Sequence, residues 1–174
     1  MHSNLFLFLS LSFFFSHFLS LFVQLRKVNL ACFPVQHQEQ YYKDVVERKN
    51  EGLCKFAYWN GFVVGAACAR VENYKLEDGT EKQRLYIMTL GVLAAYRGRN
   101  IGTQLIQSIF DYFEQNKDGE LANVDEMCLH VQINNDDAMN FYTTRFGFEK
   151  GEMVENYYRR IDPPHCYRLY KKLR

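Results

Sequence analysis

Residues 84–93 are a largely apolar run, residues 97–103 read Arg97-Gly98-Arg99-Asn100-Ile101-Gly102-Thr103, and residues 101–113 carry Ile101, Leu105, Ile109 and Phe113 on one helical face. Strand, glycine-rich turn and helix in that succession restrict the chain to a fold in which a sheet feeds a helix directly. The same unit builds a place for an anion. Small residues let the backbone approach a phosphate, while the N–H groups of the helix's first turn and its dipole point at the negative charge. A phosphorylated cofactor is therefore expected, and the absence of a Walker lysine argues against a P-loop nucleotide enzyme.

The other patterned segments complete a mixed α/β order. Tyr41, Tyr42, Val45 and Val46 predict a short helix over residues 41–48, and strands over residues 55–59 and 62–71 flank Asn60-Gly61, a strong hairpin signal. A polar loop is predicted over residues 72–83. Residues 126–133 alternate, with Met127, Leu129 and Val131 on one face and Cys128, His130 and Gln132 on the other, which turns His130 away from the core-packing side. Asn135 suits the N-cap of a helix that opens with Asp136 and Asp137 and closes at Gly147. Two last strands, residues 153–160 and 166–172, flank Ile161-Asp162-Pro163-Pro164.

Length and charge add bounds. A chain of 174 residues suits one domain, and 21 basic against 20 acidic residues leave a net charge of +1, too little to attract nucleic acid directly. The stretch from residue 159 to 174 is locally basic and reads as a solvated face. Cys32, Cys54, Cys68, Cys128 and Cys166 are scattered, with no Cys-x-x-Cys pair, so buried thiols are expected rather than a zinc site or a disulfide framework. Residues 1–23 stand apart as a phenylalanine-, leucine- and serine-rich segment. Residues 5–23 are long enough for a membrane anchor, with Arg26 and Lys27 behind them leaving the domain cytosolic. A buried strand or helix and an artefactual start of the gene are the competing readings, and membrane contact is expected only if the anchor is real.

The spacing Arg97-x-x-Asn100-x-Gly102 is similar to the Arg/Gln-x-x-Gly-x-Gly/Ala pyrophosphate loop of the acetyl-CoA-dependent GNAT superfamily. Longer motifs narrow the resemblance. Phe33-Pro34-Val35, Tyr42-Lys43-Asp44-Val45, Arg84-Leu85-Tyr86-Ile87-Met88-Thr89-Leu90-Gly91, Leu129-His130-Val131-Gln132-Ile133 and Asn156-Tyr157-Tyr158-Arg159-Arg160-Ile161 resemble the San-like catalytic subunits of NatE N-terminal acetyltransferases. The resemblance covers residues 24–174 and leaves out residues 1–23. It implies a GNAT (acyl-CoA N-acyltransferase) fold, a mixed central sheet with flanking helices, with acetyl-CoA as co-substrate and no metal. The implied reaction is direct attack on acetyl-CoA by the α-amino group of a peptide, favouring methionine followed by an apolar residue.

Residue roles follow from the same resemblance. Tyr86 and His130 match residues that take the amine's proton through an ordered water, and Tyr142 matches one that steadies or protonates the departing thiolate. Cofactor contacts fall to Leu90, Val92, Arg97, Gly98, Arg99, Asn100, Ile101, Gly102, Thr103, Asn135 and Tyr142. Phe33, Pro34, Val35 and His37 on one wall, Tyr157, Tyr158 and Ile161 on the other, and Met88 between them would hold the substrate. Without the family, a tyrosine pair in a strand is good β-former chemistry and a strand histidine is commonly a hydrogen-bonded core residue.

Three departures stand out: Asn100 where the loop usually has glycine, one extra residue between Tyr142 and Gly147, and His37 where the family has tyrosine. The first two motivate the alternative of a degenerate acetyl-CoA-binding subunit that acts structurally in a NatA assembly, and His37 implies a different preference at the second substrate residue; a lysine or small-amine acetyltransferase is the other alternative. The implied partners are nascent polypeptide N-termini, the NatA auxiliary subunit and the ribosome, in the cytoplasm and also the nucleus.

Overall fold

Asn60 at φ 47° and Gly61 at φ 80° turn the chain back between strands β2 (Cys54–Trp59) and β3 (Phe62–Lys75), as that dipeptide demands of a tight hairpin. The computed structural model describes residues 7–10, 15–34, 38–46 and 52–174. Two units cluster within it, one comprising Met1–Arg70 and Met88–Ala122, the other Val71–Ile87 and Asn123–Arg174.

In the first unit, β1 (Leu7–Ser10) pairs antiparallel with β2, and β2 pairs antiparallel with β3 from Cys54↔Cys68 to Trp59↔Phe62. The last strand of this unit is the end of β4 (Glu81–Val92), giving the order β1-β2-β3-β4. Helices α1 (Phe15–Cys32) and α2 (Glu39–Val46) bury Leu25, Val28, Tyr42 and Val45 with Cys54, Phe56, Ala66 and Cys68, each large apolar side chain contributing about 1.5–3 kcal/mol. Helix α3 (Ile101–Asn116) buries Ile101, Leu105, Ile106, Ile109 and Phe113, the stripe that its spacing predicts.

The apolar run at residues 5–23 thus divides: residues 7–10 pair in a sheet, and the helix beginning at Phe15 continues past Arg26 and Lys27. Among the described residues no helix is long and apolar enough to cross a membrane.

In the second unit, β3 and β4 continue, β4 pairs parallel with β5 (Val124–Gln132), and β5 and β6 (Glu149–Val154) each pair antiparallel with β7 (Cys166–Lys172), in the order β3-β4-β5-β7-β6. Helix α4 (Asp136–Phe146) links β5 to β6; its N-cap is Asn135, whose Oδ1 accepts the Ala138 N–H at 3.1 Å, and Gly147 at φ 66° closes it. The extra residue before Gly147 is taken up in a regular last turn, with Gly147 N–H on the Thr143 carbonyl and Phe148 N–H on that of Tyr142.

Two sequence expectations are corrected. The polar loop predicted over residues 72–83 is mostly strand, with the turn confined to residues 76–80. Its polar residues are cross-strand partners: Arg84 with Glu72, Gln83 with Asn73, and Lys75 with Glu81. The strand predicted over residues 153–160 ends at Val154, because Asn156 takes a left-handed φ of 54°, and Pro163 and Pro164 have no N–H for a ladder. Tyr157, Tyr158 and Ile161 therefore stand on a loop.

Candidate active site

Alternation along β4 buries Leu85 and Ile87 and turns Arg84 and Tyr86 to the opposite face. The parallel ladder with β5 runs from Gln83↔Val124 to Tyr86↔Cys128, four residues before β5 ends. That register brings together two side chains far apart in sequence: the Tyr86 hydroxyl lies 3.1 Å from His130 Nδ1. A third joins them. Tyr157 reaches in from the β6–β7 loop, its hydroxyl hydrogen-bonded to that of Tyr86 at 2.9 Å and its ring stacked on His130 at 4.4 Å and 20°. Tyr157 was expected only as a wall for substrate; its stacking on His130 depends on how a loop returns, which no local spacing encodes.

The Tyr86–His130 pair is held in its neutral form. Burial pushes the His130 pKa below its ordinary 6.5, and the Arg168 and Arg84 guanidinium groups push the same way against an opposing Glu72. Burial, followed by the Tyr157 oxygen, drives the Tyr86 phenol far above the usual tyrosine range. Arg84 is ion-paired with Glu72 at 3.2 Å and Arg168 with Glu126, and Arg168 faces His130 directly across the β5–β7 ladder. A neutral imidazole and a protonated phenol can accept and relay a proton but do not present a charged base. Cys128, fully buried between these strands, has its thiol pushed up to about 11 by burial, unsuited to nucleophilic attack at neutral pH.

Of the other predicted residues in this unit, Tyr142 is buried in α4 with edge contacts to Phe141 and Phe148, and burial keeps its phenol protonated. Asn135 uses its side-chain oxygen as a helix cap. Tyr158 is half-buried and meets Tyr157 edge-on at 4.9 Å, its phenol raised to about 12, chiefly by burial. These contacts are structural; they bring neither Tyr142 nor Asn135 into the Tyr86–His130–Tyr157 cluster.

In the first unit, the end of β4 carries Met88, Leu90 and Val92, and the Val92 carbonyl accepts Arg97 Nε–H at 3.0 Å. A short 3-10 turn, Ala94–Tyr96, leads into residues 97–103. Gly98 (φ 73°) and Asn100 (φ 63°, ψ 13°) are both left-handed, so Asn100 adopts the backbone that the expected glycine would supply. Among the described residues, nothing lies within 4 Å of where a Gly98 Cβ would be. Amides of Ile101, Gly102 and Thr103 open α3, Arg97 and Arg99 flank them, and the first turn holds no acid. This donor set fits the diphosphate of acetyl-CoA. Asn100→Ala is expected to cost about 1 kcal/mol through the left-handed backbone, lowering Tm by roughly 3 °C, whereas Asn100→Gly leaves it unchanged or higher; thermal melts of both variants check this.

Phe33 ends α1 with its N–H on the Asn29 carbonyl, and the end of α1 lies close on β4 at Gly91: a Cβ there would crowd Cys32 Cβ at 3.1 Å and touch Phe33 Cε2 at an ordinary 3.4 Å. Pro34 is exposed, and Met88 packs against the α1–α2 core. Val35 and His37 lie outside the described residues. The sequence reading missed the buried Thr89, whose hydroxyl meets that of Tyr41 at 2.7 Å; only its odd-numbered place among the inward residues of β4 signals it.

An acid–base cluster on one strand pair, and an amide-lined turn between strand and helix, are the parts of an acyl-CoA-dependent transferase. Residues 22–148 match the acetyltransferase (GNAT) family, and the chain belongs to it. It is 47% identical over 152 residues to the probable N-acetyltransferase san of Drosophila melanogaster, covering 87% of this chain and 75% of that one. It is 44% identical over 151 residues to N-alpha-acetyltransferase 50 of Danio rerio, covering 87% and 82%. The structure of Arabidopsis thaliana Naa50 in complex with the bisubstrate analogue CoA-Ac-MVNAL matches with a TM-score of 0.76 at 37% identity, over 95% of this chain and 97% of that one.

Proposed function

We propose that this acetyltransferase moves the acetyl group of acetyl-CoA to the α-amino group of peptides that begin with methionine followed by an apolar residue. The observation that carries the reading is the neutral Tyr86–His130 pair with Tyr157 packed on it, and the Naa50 complex with a CoA-linked peptide beginning Met-Val supports the substrate class. Acetyl-CoA supplies an activated thioester; Leu90 and Val92 would hold its pantetheine by their backbone, and residues 97–103 its diphosphate.

An amine attacks only when unprotonated. An α-amino group has a pKa of about 7.7–8.0, against about 10.4 for lysine, so at neutral pH its reactive fraction is roughly 300-fold larger. The enzyme still has a proton to remove. Neutral His130, linked to the Tyr86 hydroxyl, accepts it directly or through one water as the amine nitrogen bonds the acetyl carbon and the C–S bond breaks; the imidazolium then gives it up through the Tyr86 hydroxyl, which releases one proton to solvent as it takes another, while the departing CoA thiolate is protonated in turn. Tyr157, Tyr158 and Ile161, together on the β6–β7 loop, provide apolar and aromatic surface suited to a thioether side chain. Initial rates on peptides starting Met-Leu and Ser, and on a blocked peptide with an internal lysine, test this: the first should be preferred at least tenfold, and equal rates on all three would reject it.

The pH dependence follows from the same charges. A lowered His130 pKa keeps the proton acceptor available above it and removes it as pH falls. Turnover, kcat, should therefore rise through a limb below pH 6.5, and Arg168→Gln, which takes away a cation and leaves Glu126, should move that limb upward. A pH–kcat profile of both proteins measures it.

Assembly with a NatA auxiliary subunit at the ribosome, in the cytoplasm and the nucleus, is the accompanying proposal. The San-like resemblance supports it, and co-purification with a tagged full chain tests it.

A further inference from the structure

The loop of residues 155–165 delivers Tyr157 onto His130, and three hydrogen bonds close its base. Tyr158 N–H donates to the Pro164 carbonyl at 2.8 Å, backbone to backbone. The other two come from side chains: His165 Nδ1 accepts the Asn156 N–H at 3.2 Å, and Gln132 Nε2 donates to the Pro163 carbonyl at 2.8 Å. Gln132 is two residues beyond His130 on the same face of β5, and its ladder partner is Cys166, next to His165. The His165 carbonyl in turn accepts the Ile133 N–H at 3.2 Å. The strand that carries the proton acceptor thus also grips the loop whose aromatic ring lies on that acceptor. At the loop's entrance Asn156 is left-handed at φ 54°, so the direction in which Tyr157 leaves is set at the residue His165 holds.

From this geometry we infer that Gln132 and His165 are positioning residues: they latch the β6–β7 loop so that Tyr157 stacks on His130 and meets the Tyr86 hydroxyl. Neither touches the reacting atoms. The inference deepens the proposed function, since it gives the peptide-facing aromatic loop a fixed seat on the acid–base pair. An unlatched loop would still fold on β6 and β7 but would present Tyr157 and Tyr158 in several directions, so the loss falls on peptide recognition and not on acetyl-CoA.

Two measurements test it. In steady-state kinetics, His165→Ala and Gln132→Ala should each raise the KM for a Met-Leu peptide about tenfold and leave the KM for acetyl-CoA within twofold; His165→Asn, which keeps an acceptor, should recover most of the loss. In a Tyr157→Ala background each substitution should cost clearly less than in the wild type, since only Tyr158 is then left to misplace. Equal losses for both substrates, no loss, or full additivity with Tyr157→Ala would overturn the assignment. The second measurement does not need activity. The His130 ring protons, shifted upfield in NMR spectra by the stacked Tyr157, should move toward free-histidine positions in Tyr157→Ala and equally in His165→Ala and Gln132→Ala. An unchanged His130 signal in the latch variants sinks the latch whatever the enzyme acetylates; a moved signal with no Met-Leu activity in the wild type would leave the latch standing and reject the proposed function instead.

Discussion

His130→Ala is expected to lower kcat on a Met-Leu peptide by roughly 10²–10³ while the acetyl-CoA dissociation constant stays within twofold. The magnitude is that of removing a positioned general base. Selectivity for kcat follows from where the parts lie: His130 is on β5 with Tyr86 at 3.1 Å, whereas the amides suited to the diphosphate open α3. The imidazole is half-buried and its pKa is depressed by burial and by Arg168 and Arg84, so the wild-type group is a neutral acceptor at cellular pH and alanine leaves nothing in its place. Stopped-flow or steady-state rates, with cofactor binding measured by calorimetry, separate the two quantities. A parallel loss of turnover and cofactor affinity would show that His130 holds the fold and not the proton.

Tyr86→Phe should lower kcat about 10- to 100-fold, less than the histidine change. Phenylalanine keeps the ring and removes only the hydroxyl that bonds both His130 and Tyr157; losing such a link costs about 1.5–3 kcal/mol of the barrier. The two residues act as one relay, so the double variant should be no more than a few-fold worse than His130→Ala alone. Multiplicative losses would mean that the two side chains act independently, contrary to their hydrogen bond.

How much of this was legible in the sequence depended on whether the cause was local. Asn60-Gly61, the apolar stripe of α3, the Asn135 cap and the Gly147 stop are set by neighbouring residues, and each forms where the pattern places it. The strand ends around residues 72–75 and 81–83 were hidden because their polar residues pair with one another across β3 and β4, a stabilisation that no single segment displays. Alternation turned His130 away from the core face, yet its meeting with Tyr86 rests on a parallel register between strands separated by α3, and only the family motifs pointed to it. Tyr157's place on His130 was out of reach for the same reason, compounded by a left-handed Asn156 that ends β6 early.

The central claim is that a neutral Tyr86–His130 pair serves an α-amine. Tandem mass spectrometry of one peptide that begins Met-Leu and carries an internal lysine, incubated with enzyme and acetyl-CoA at pH 7, addresses it directly. Acetyl should be found on the methionine nitrogen, with lysine modified at least a hundredfold more slowly. Acetyl on the lysine side chain, or on neither amine, would contradict the account.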